Sequence, residues 1–157
     1  MIRTVLVVCI GNICRSPMAE GLLRQALPNL AVTSAGLGAV VGSPPDPIAI
    51  ELMGEFGLDI SQHRAQQLSG TLASQTDLIL VMENEQKHEI QRRHPIVSGK
   101  VFRLGEPAKF DIPDPYRQPR ESFERAFQQI QHGVQAWVPR IMALAGADRE
   151  QNKICSL

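Results

Sequence analysis

Residues 9–16 read C-I-G-N-I-C-R-S, and they follow directly on the apolar run T-V-L-V-V-C at residues 4–9. A continuous run rich in β-branched residues is typical of a strand buried on both faces of a parallel sheet. After the short loop, Pro17 suits the first turn of a helix, and apolar residues recur at helical spacing over 19–26. The stretch therefore predicts a strand that ends at Cys9, a tight loop and a helix.

The rest of the chain alternates between the same two kinds of element. Strands are predicted over 31–35, 77–82 and 100–104, and helices over 48–56 and 84–94. Two long loops rich in proline or glycine fall at 36–47 and 107–119. The order predicts an α/β fold in which helices cover both faces of a parallel sheet. Ligands of such sheets bind beyond the carboxyl ends of the strands, which is where Cys9 lies.

The clearest helix lies near the C-terminus. Its apolar residues alternate at four- and three-residue spacing: Phe123, Phe127, Ile130, Val134, Trp137, Ile141 and Leu144. A coiled-coil seam is the alternative, but a single segment of this length with Pro139 inside it favours a helix packed on the sheet. We therefore expect one domain over residues 1–146 and a flexible tail over 147–157.

Composition excludes several classes of function. The chain has 157 residues, 43% of them hydrophobic, and its 16 basic and 16 acidic residues cancel. No global field therefore draws it to nucleic acid or anionic lipid. We see no apolar stretch long enough to span a membrane and no signal segment, so we expect a cytoplasmic protein without membrane insertion. Three cysteines make a poor disulfide framework and include no Cys-x-x-Cys pair, which favours reduced thiols and no metal site.

The loop after Cys9 combines a thiol with groups that bind a phosphate. Its backbone amides can form a concave nest for anionic oxygens, and the helix that follows adds the positive end of its dipole. Gly11 and Asn12 tolerate the positive φ that a tight loop needs. Arg15 can bind two oxygens at once with its planar fork. A cysteine at a strand end is usually a small core residue, but in this context we predict that Cys9 is a thiolate nucleophile.

A phosphatase needs a group that protonates the leaving oxygen, and the loop at 107–119 offers two. Asp111 and Asp114 both lie in the run D-I-P-D-P-Y. Aspartate beside proline is common in turns, so either carboxylate could serve only as a turn residue. Sequence spacing alone leaves the two candidates open.

The sequence C-I-G-N-I-C-R-S-P-M-A-E resembles the signature of the low-molecular-weight protein tyrosine phosphatases, and the S-A-G and D-P-Y segments at 34–36 and 114–116 follow in family order. The resemblance implies a three-layer α/β/α fold with a four-stranded parallel sheet. It implies Cys9 as nucleophile, Arg15 as transition-state clamp and Asp114 as general acid, with no metal or cofactor. The phosphate-binding loop would comprise Ile10, Gly11, Asn12, Ile13, Cys14, Arg15 and Ser16.

Other roles follow from the same resemblance. Asn12, Ser16, Ser34 and His63 match positions that hold the loop in shape, although a histidine like His63 is more often a surface residue. Cys14 is either a small packed residue or a redox partner whose disulfide with the nucleophile prevents irreversible oxidation.

The pocket wall is expected from Ile13, Leu37, Val40 and Tyr116. The segments L-G-A-V-V-G and I-P-D-P-Y-R further resemble the bacterial branch encoded with capsule and exopolysaccharide genes. That resemblance implies an autophosphorylating tyrosine kinase as partner, and we expect a monomer.

Three rival functions share the loop. The apolar Ile13 favours phosphotyrosine over phosphoarginine. An arsenate reductase would need further cysteines near the third strand, where Met82 and its neighbours offer none. A non-enzymatic phosphate-binding module predicts binding without turnover.

Overall fold

A computed structural model describes the backbone of residues 1–155 and the side chains of residues 1–145. Four strands form one parallel sheet: β1 (Thr4–Cys9), β2 (Ala31–Gly36), β3 (Leu78–Val81) and β4 (Val101–Arg103). The strand order is β2-β1-β3-β4, so β1 lies inside the sheet with neighbours on both sides. The α/β prediction is confirmed.

Five α-helices connect and cover the strands: α1 (Arg15–Ala26), α2 (Pro47–Glu55), α3 (Gly70–Gln75), α4 (Asn84–Arg93) and α5 (Arg120–Cys155). Alternate residues of β1 enter two separate cores. Val5 and Val7 pack on the face that carries α1 and α5, whereas Leu6 and Val8 pack on the face that carries α3 and α4. All four side chains are at most 1% exposed, which explains the continuous apolar run in the sequence. The predicted three-layer α/β/α architecture is confirmed.

Several boundaries differ from the sequence predictions. Helix α1 begins at Arg15, so Pro17 lies within its first turn and not at its first position. The backbone amides of a first turn have no partner within the helix, so a proline there costs no hydrogen bond. We missed α3, where the Ser69 hydroxyl accepts from the Leu72 amide at 3.1 Å, because six residues are too few for a periodic pattern. We also missed the 3₁₀ turns Pro95–Lys100 and Glu106–Ala108.

The long C-terminal helix is confirmed, with Pro139 inside it. Its stripe is buried or half-buried from Phe123 to Ile141, but Leu144 is 52% exposed, so the buried stripe ends one step earlier than predicted. The flexible tail proposed for 147–157 falls on residues whose side chains lie outside the described part of the chain, and it stays a prediction. Within the described residues no helix is long and apolar enough to cross a membrane.

The carboxyl ends of the parallel strands meet at one edge of the sheet. Strand β1 ends at Cys9 and β3 ends just before Met82 and Glu83. The segment after β4 returns to the same edge, where the Ile112 amide donates to the Met82 carbonyl at 2.9 Å. Residues distant in sequence therefore converge around the loop that follows Cys9.

Candidate active site

A pocket of about 200 Å³ opens at this edge of the sheet. We call it the Cys9 pocket. Its lining comprises Cys9, Ile10, Gly11, Ile13, Cys14, Arg15, Gly38, Val40, Asp114 and Tyr116. It therefore brings together the predicted nucleophile, the predicted clamp and one of the two predicted acids.

The thiol of Cys9 is buried against a hydroxyl. Its Sγ atom lies 2.9 Å from the Oγ atom of Ser16. The Nδ2 atom of Asn12 donates to the same oxygen at 2.8 Å. Because Asn12 occupies one acceptor site of Ser16, the hydroxyl proton is free to point at the sulfur. The Ser16 hydroxyl can therefore donate to the Cys9 sulfur.

Asn12 holds the loop from its centre. Its side chain is fully buried, donates to Ser34 Oγ at 2.9 Å and accepts from the Gln66 amide at 2.9 Å. Its φ of 58° lies in the left-handed region, which asparagine tolerates better than most residues. Gly11 does not adopt a positive φ, so the prediction that it supplies this freedom is wrong.

His63 supports the loop from behind. Its Nε2 donates to the Asn12 carbonyl at 2.9 Å, and its Nδ1 lies 3.5 Å from Glu20 Oε2. Burial lowers the pKa of the imidazole, but the hydrogen bonds to Glu20 and to the Asn12 carbonyl outweigh burial, so the pKa is raised above its ordinary value. His63 is thus a partly buried side chain that contacts the loop, and not the surface histidine that was the alternative.

The guanidinium of Arg15 is almost fully buried beneath the loop. One of its terminal nitrogens donates to the Ile112 carbonyl at 2.7 Å and pairs with Glu83, and the other lies 3.7 Å from Asp114 Oδ2. Its Nε has no hydrogen-bond partner among the described residues. A buried donor without a partner is costly, which makes this nitrogen a natural site for an anionic oxygen.

Glu83 is a charged contact of the Arg15 guanidinium that we did not predict from the sequence. It lies just beyond the carboxyl end of β3, which pairs with β1 in the sheet. Ligands of parallel sheets bind beyond the carboxyl ends of the strands, so the argument that led to Cys9 applies to Glu83 as well. Its carboxylate forms an ion pair with the Arg15 guanidinium.

The structure separates the two candidate acids. Asp111 accepts from Arg103 at 3.0 Å and from the Asn84 amide at 3.1 Å, so it holds the start of α4. Asp114 lines the Cys9 pocket, and its Oδ1 accepts only from the Tyr116 amide, at 3.1 Å, among the described groups. Of the two candidate acids, Asp114 is therefore the one that lies in the Cys9 pocket.

Cys14 is 4% exposed and occupies the position before α1. Burial raises the pKa of its thiol well above the usual range, and the charges of Asp46 and Asp114 raise it further. Cys14 is therefore a neutral packed thiol in this state, and both loop cysteines are free thiols. Its redox role stays a prediction.

The pocket wall differs from the prediction at one residue. Ile13, Val40 and Tyr116 line the Cys9 pocket as expected, but Leu37 does not. Leu37 is 6% exposed and packs in the core between the sheet and α4, because its amide continues the pairing with β1 by donating to the Cys9 carbonyl at 3.0 Å. Gly38 takes its place in the wall.

Gly36 allows the wall to approach the loop closely. A Cβ atom at this position would lie 2.4 Å from the Ile10 carbonyl oxygen and 3.1 Å from Ala39. Only glycine fits without a backbone shift.

Among the described residues no group of three His, Cys, Asp or Glu side chains could hold a metal ion.

Residues 4–149 match the family model described as low molecular weight phosphotyrosine protein phosphatase. The chain belongs to this family. A relative from Ralstonia nicotianae, named probable low molecular weight protein-tyrosine-phosphatase EpsP, is 64% identical over 92% of this chain and 99% of its own.

Two solved structures of phosphatases named Wzb have the same fold as this family member. Wzb from Vibrio vulnificus in complex with benzylphosphonate is 43% identical, with a TM-score of 0.86 over 89% of this chain and 99% of its own. Wzb from Escherichia coli K30 in complex with sulphate is 39% identical, with a TM-score of 0.87 over 90% of this chain and 99% of its own.

Proposed function

We propose that the chain is a protein-tyrosine phosphatase that hydrolyses phosphotyrosine through a cysteinyl phosphate on Cys9. The observation that carries the proposal is the convergence in one pocket of the Cys9 thiol, the buried Arg15 and the carboxyl of Asp114. The unpartnered Nε of Arg15 and the Ser16 hydroxyl beside the sulfur support it.

The first half of the reaction transfers the phosphoryl group to sulfur. The Cys9 thiolate attacks phosphorus in line with the aryl oxygen, and the P–O bond breaks with its electron pair going to that oxygen. Asp114 gives the departing phenolate its proton. The loop amides and Arg15 hold the equatorial oxygens as their charge develops.

The second half restores the enzyme. The Asp114 carboxylate takes a proton from a water molecule whose oxygen attacks the cysteinyl phosphate. The S–P bond breaks, inorganic phosphate forms, and the sulfur leaves as a thiolate that accepts from the Ser16 hydroxyl. No step here needs a group outside the protein and water.

The pocket wall favours an aryl phosphate. Ile13 and Val40 offer apolar atoms, and Tyr116 offers a ring that can lie against a phenyl group. Benzylphosphonate, found in the Wzb structure from Vibrio vulnificus, carries its phosphonate on a methylene group attached to a phenyl ring. A phosphoarginine phosphatase is the second candidate, since the same loop would bind its phosphate. The apolar pocket wall is less suited to it, because the wall would desolvate the substrate's guanidinium and offer it no hydrogen-bond partner.

An autophosphorylating tyrosine kinase of capsule or exopolysaccharide production is the partner that we propose, with a monomeric phosphatase acting in the cytoplasm. The similarity to EpsP and Wzb and the segments 37–42 and 112–117 support this branch. An arsenate reductase is not favoured, because Met82 and its neighbours after β3 include no cysteine.

The test compares two phosphorylated peptides of one sequence, one carrying phosphotyrosine and the other phosphoarginine. We expect phosphate release from the first, at least roughly tenfold faster in kcat/KM, and none with Cys9→Ser. Preferred release from phosphoarginine would overturn the substrate assignment. Binding of both peptides without turnover would show that the chain is a non-enzymatic phosphate-binding module.

The partner is tested by trapping. Immobilised Cys9→Ser phosphatase keeps the pocket without the nucleophile, and it should retain a tyrosine-phosphorylated kinase from a lysate of the source cells. Competition by inorganic phosphate is the control for retention through the pocket. Retention of tyrosine-phosphorylated proteins that include no kinase would contradict the partner.

A further inference from the structure

A second pocket of about 260 Å³ lies beside the Cys9 pocket, on the other side of the 113–118 loop. Its lining includes Pro113, Asp114, Gln118, Ser122, Arg125 and Gln129. We call it the flank pocket. Asp114 lines both pockets, so a substrate segment bound through phosphotyrosine would pass directly over this surface.

Two arginines differ from the others: Arg125, which lines the flank pocket, and Arg117, which lies against Tyr116 of the Cys9 pocket. Eleven of the twelve arginines have described side chains, and nine of them hydrogen-bond to a carboxylate, a carbonyl or a sulfur atom. Arg117 and Arg125 are the two that have neither a hydrogen bond nor an ion pair among the described residues. Both are exposed.

Arg117 is fixed at the rim of the Cys9 pocket. Its guanidinium carbon lies 5.2 Å from the centre of the Tyr116 ring, which forms part of the pocket wall. The turn closes through the Gln118 amide, which donates to the Pro115 carbonyl at 2.9 Å, and Arg117 has a φ of 61°. Glycine is the usual residue at such a position, and an arginine there is strained.

Arg125 presents a second positive charge in the flank pocket. Glu124, its neighbour on α5, is engaged by Arg120 at 3.0 Å. Asp114 lies 3.7 Å from Arg15, which compensates its charge. Arg117 and Arg125, which have no ion-pair partner among the described residues, therefore place two positive charges beside the phosphotyrosine site, with Glu121 one turn before Arg125 on α5.

We propose that Arg117 and Arg125 select substrates that carry a carboxylate side chain next to the phosphotyrosine. This rests on the proposed phosphotyrosine hydrolysis and adds a preference to it. A glutamate or aspartate near the phosphotyrosine would pair with an arginine that has no partner in the protein. Gln118, Ser122 and Gln129 offer further hydrogen bonds in the flank pocket. Such pairs act chiefly on association and selectivity.

The test uses phosphotyrosine peptides with alanine at the surrounding positions. Glutamate or its neutral isostere glutamine is placed at each of the two positions on either side, and kcat/KM is measured at low salt. At the preferred position we expect glutamate to exceed glutamine about three- to fivefold in kcat/KM, and the ratio to fall toward one at high salt.

Variants then locate the preference. The double variant Arg117→Gln/Arg125→Gln should bring the ratio to about one, and the single variants show which arginine makes the contact. Because each ratio compares two peptides on one enzyme, a change in overall activity cancels. Arg140→Gln is the matched control, since it removes a positive charge from a distant, exposed part of α5.

Three outcomes would overturn the proposal: a ratio of one in the parent, a ratio that survives in the double variant, or a ratio that Arg140→Gln lowers equally. In each of these cases the peptides are still hydrolysed, so phosphotyrosine hydrolysis itself stands. If no peptide is hydrolysed by the parent, the proposed function fails instead.

Discussion

The Sγ atom of Cys9 lies 2.9 Å from the Oγ atom of Ser16, and Asn12 directs that hydroxyl by donating to its oxygen. The sulfur is therefore stabilised when it is negatively charged. In the proposed reaction the thiolate is both the nucleophile of the first step and the leaving group of the second.

Ser16→Ala should slow the second step most. A hydrogen bond to a charged group contributes about 1.5–3 kcal/mol, which corresponds to roughly tenfold or more in rate. With p-nitrophenyl phosphate we expect the steady-state rate to fall by that factor, while the initial burst of p-nitrophenol slows less. Ser34→Ala removes a different partner of Asn12 and keeps the Ser16 hydroxyl, so its effect should be smaller. Equal slowing of burst and steady state would contradict this role.

Asp114→Asn should remove the general acid. We expect kcat/KM, which reports the transfer to sulfur, to fall about 10²–10⁴-fold for phenyl phosphate, whose leaving group needs a proton, and much less for a phosphate ester of a more acidic phenol. The measurement is kcat/KM across a series of substituted phenyl phosphates. Asp111→Asn is the matched control, because it breaks contacts with Arg103 and Asn84 outside the pocket. If Asp111→Asn shows the leaving-group dependence instead, the assignment is reversed.

Glu83→Gln should leave the buried guanidinium of Arg15 with Asp114, at 3.7 Å, as its remaining charged partner. Loss of one partner of a buried pair destabilises a protein by about 3–5 kcal/mol, and less here because Glu83 is 28% exposed. Inorganic phosphate supplies the missing negative charge. We therefore expect the midpoint of thermal unfolding to be lower in the variant and to recover more with phosphate than it does in the parent.

Glu106→Gln provides the comparison for Glu83→Gln. Glu106 is 31% exposed and pairs with Arg103, a mostly buried arginine that does not line the Cys9 pocket. Its loss should lower the unfolding midpoint without an added response to phosphate. An equal phosphate response in both variants and the parent would show that Glu83 does not balance Arg15.

The parts of the site that are contiguous in sequence were predictable. Strand, loop and helix follow one another from Thr4 to Ala26, so the placing of Cys9, Asn12 and Arg15 needed no knowledge of the sheet. Glu83 was not predictable in the same way, because its role depends on the pairing of β3 with β1.

Leu37 shows a second limit. We assigned Leu37 and Val40, both from the apolar segment after β2, to the pocket wall, but the chain turns at residues 37–38 and consecutive residues of this turn face different sides. Leu37 therefore enters the core, whereas Gly38 and Val40 face the pocket. The sequence does not reveal which side each takes, since both sides accept apolar residues.

Gly36→Ala should displace the loop. The added methyl group would lie 2.4 Å from the Ile10 carbonyl oxygen, so the backbone of one segment must move. Because near-attack geometry tolerates little displacement, we expect kcat to fall about 10²-fold while the protein still folds. Gly54→Ala is the control, since its Cβ meets nothing within 4 Å. An unchanged kcat in Gly36→Ala would mean that the segment around Gly36 moves and the phosphate-binding loop stays in place.

The pH dependence of stability should identify the charge on His63. Its pKa is raised from the ordinary value of 6.5, so the protonated ring stabilises the folded state. That contribution is fully present below pH 6.5 and is lost as the pH rises through the raised pKa. His63→Gln can keep a donor to the Asn12 carbonyl but carries no charge. We therefore expect the parent's advantage in free energy of unfolding over His63→Gln, measured with urea, to be larger near pH 6 than near pH 9.

Glu20→Gln separates the ion pair from the hydrogen bond to Asn12. Burial alone lowers the pKa of His63, and the hydrogen bond and charge of Glu20 are among the contacts that raise it. In a Glu20→Gln background, the difference in free energy of unfolding between the chain with His63 and His63→Gln should lose most of its pH dependence. Without the Glu20 carboxylate, the protonated form of the ring is no longer stabilised. If the difference in free energy of unfolding between the parent and His63→Gln stays constant with pH, the His63 ring is neutral throughout. The Asn12 carbonyl would then be held by a hydrogen bond alone, and the phosphate-binding loop would not respond to protonation of His63.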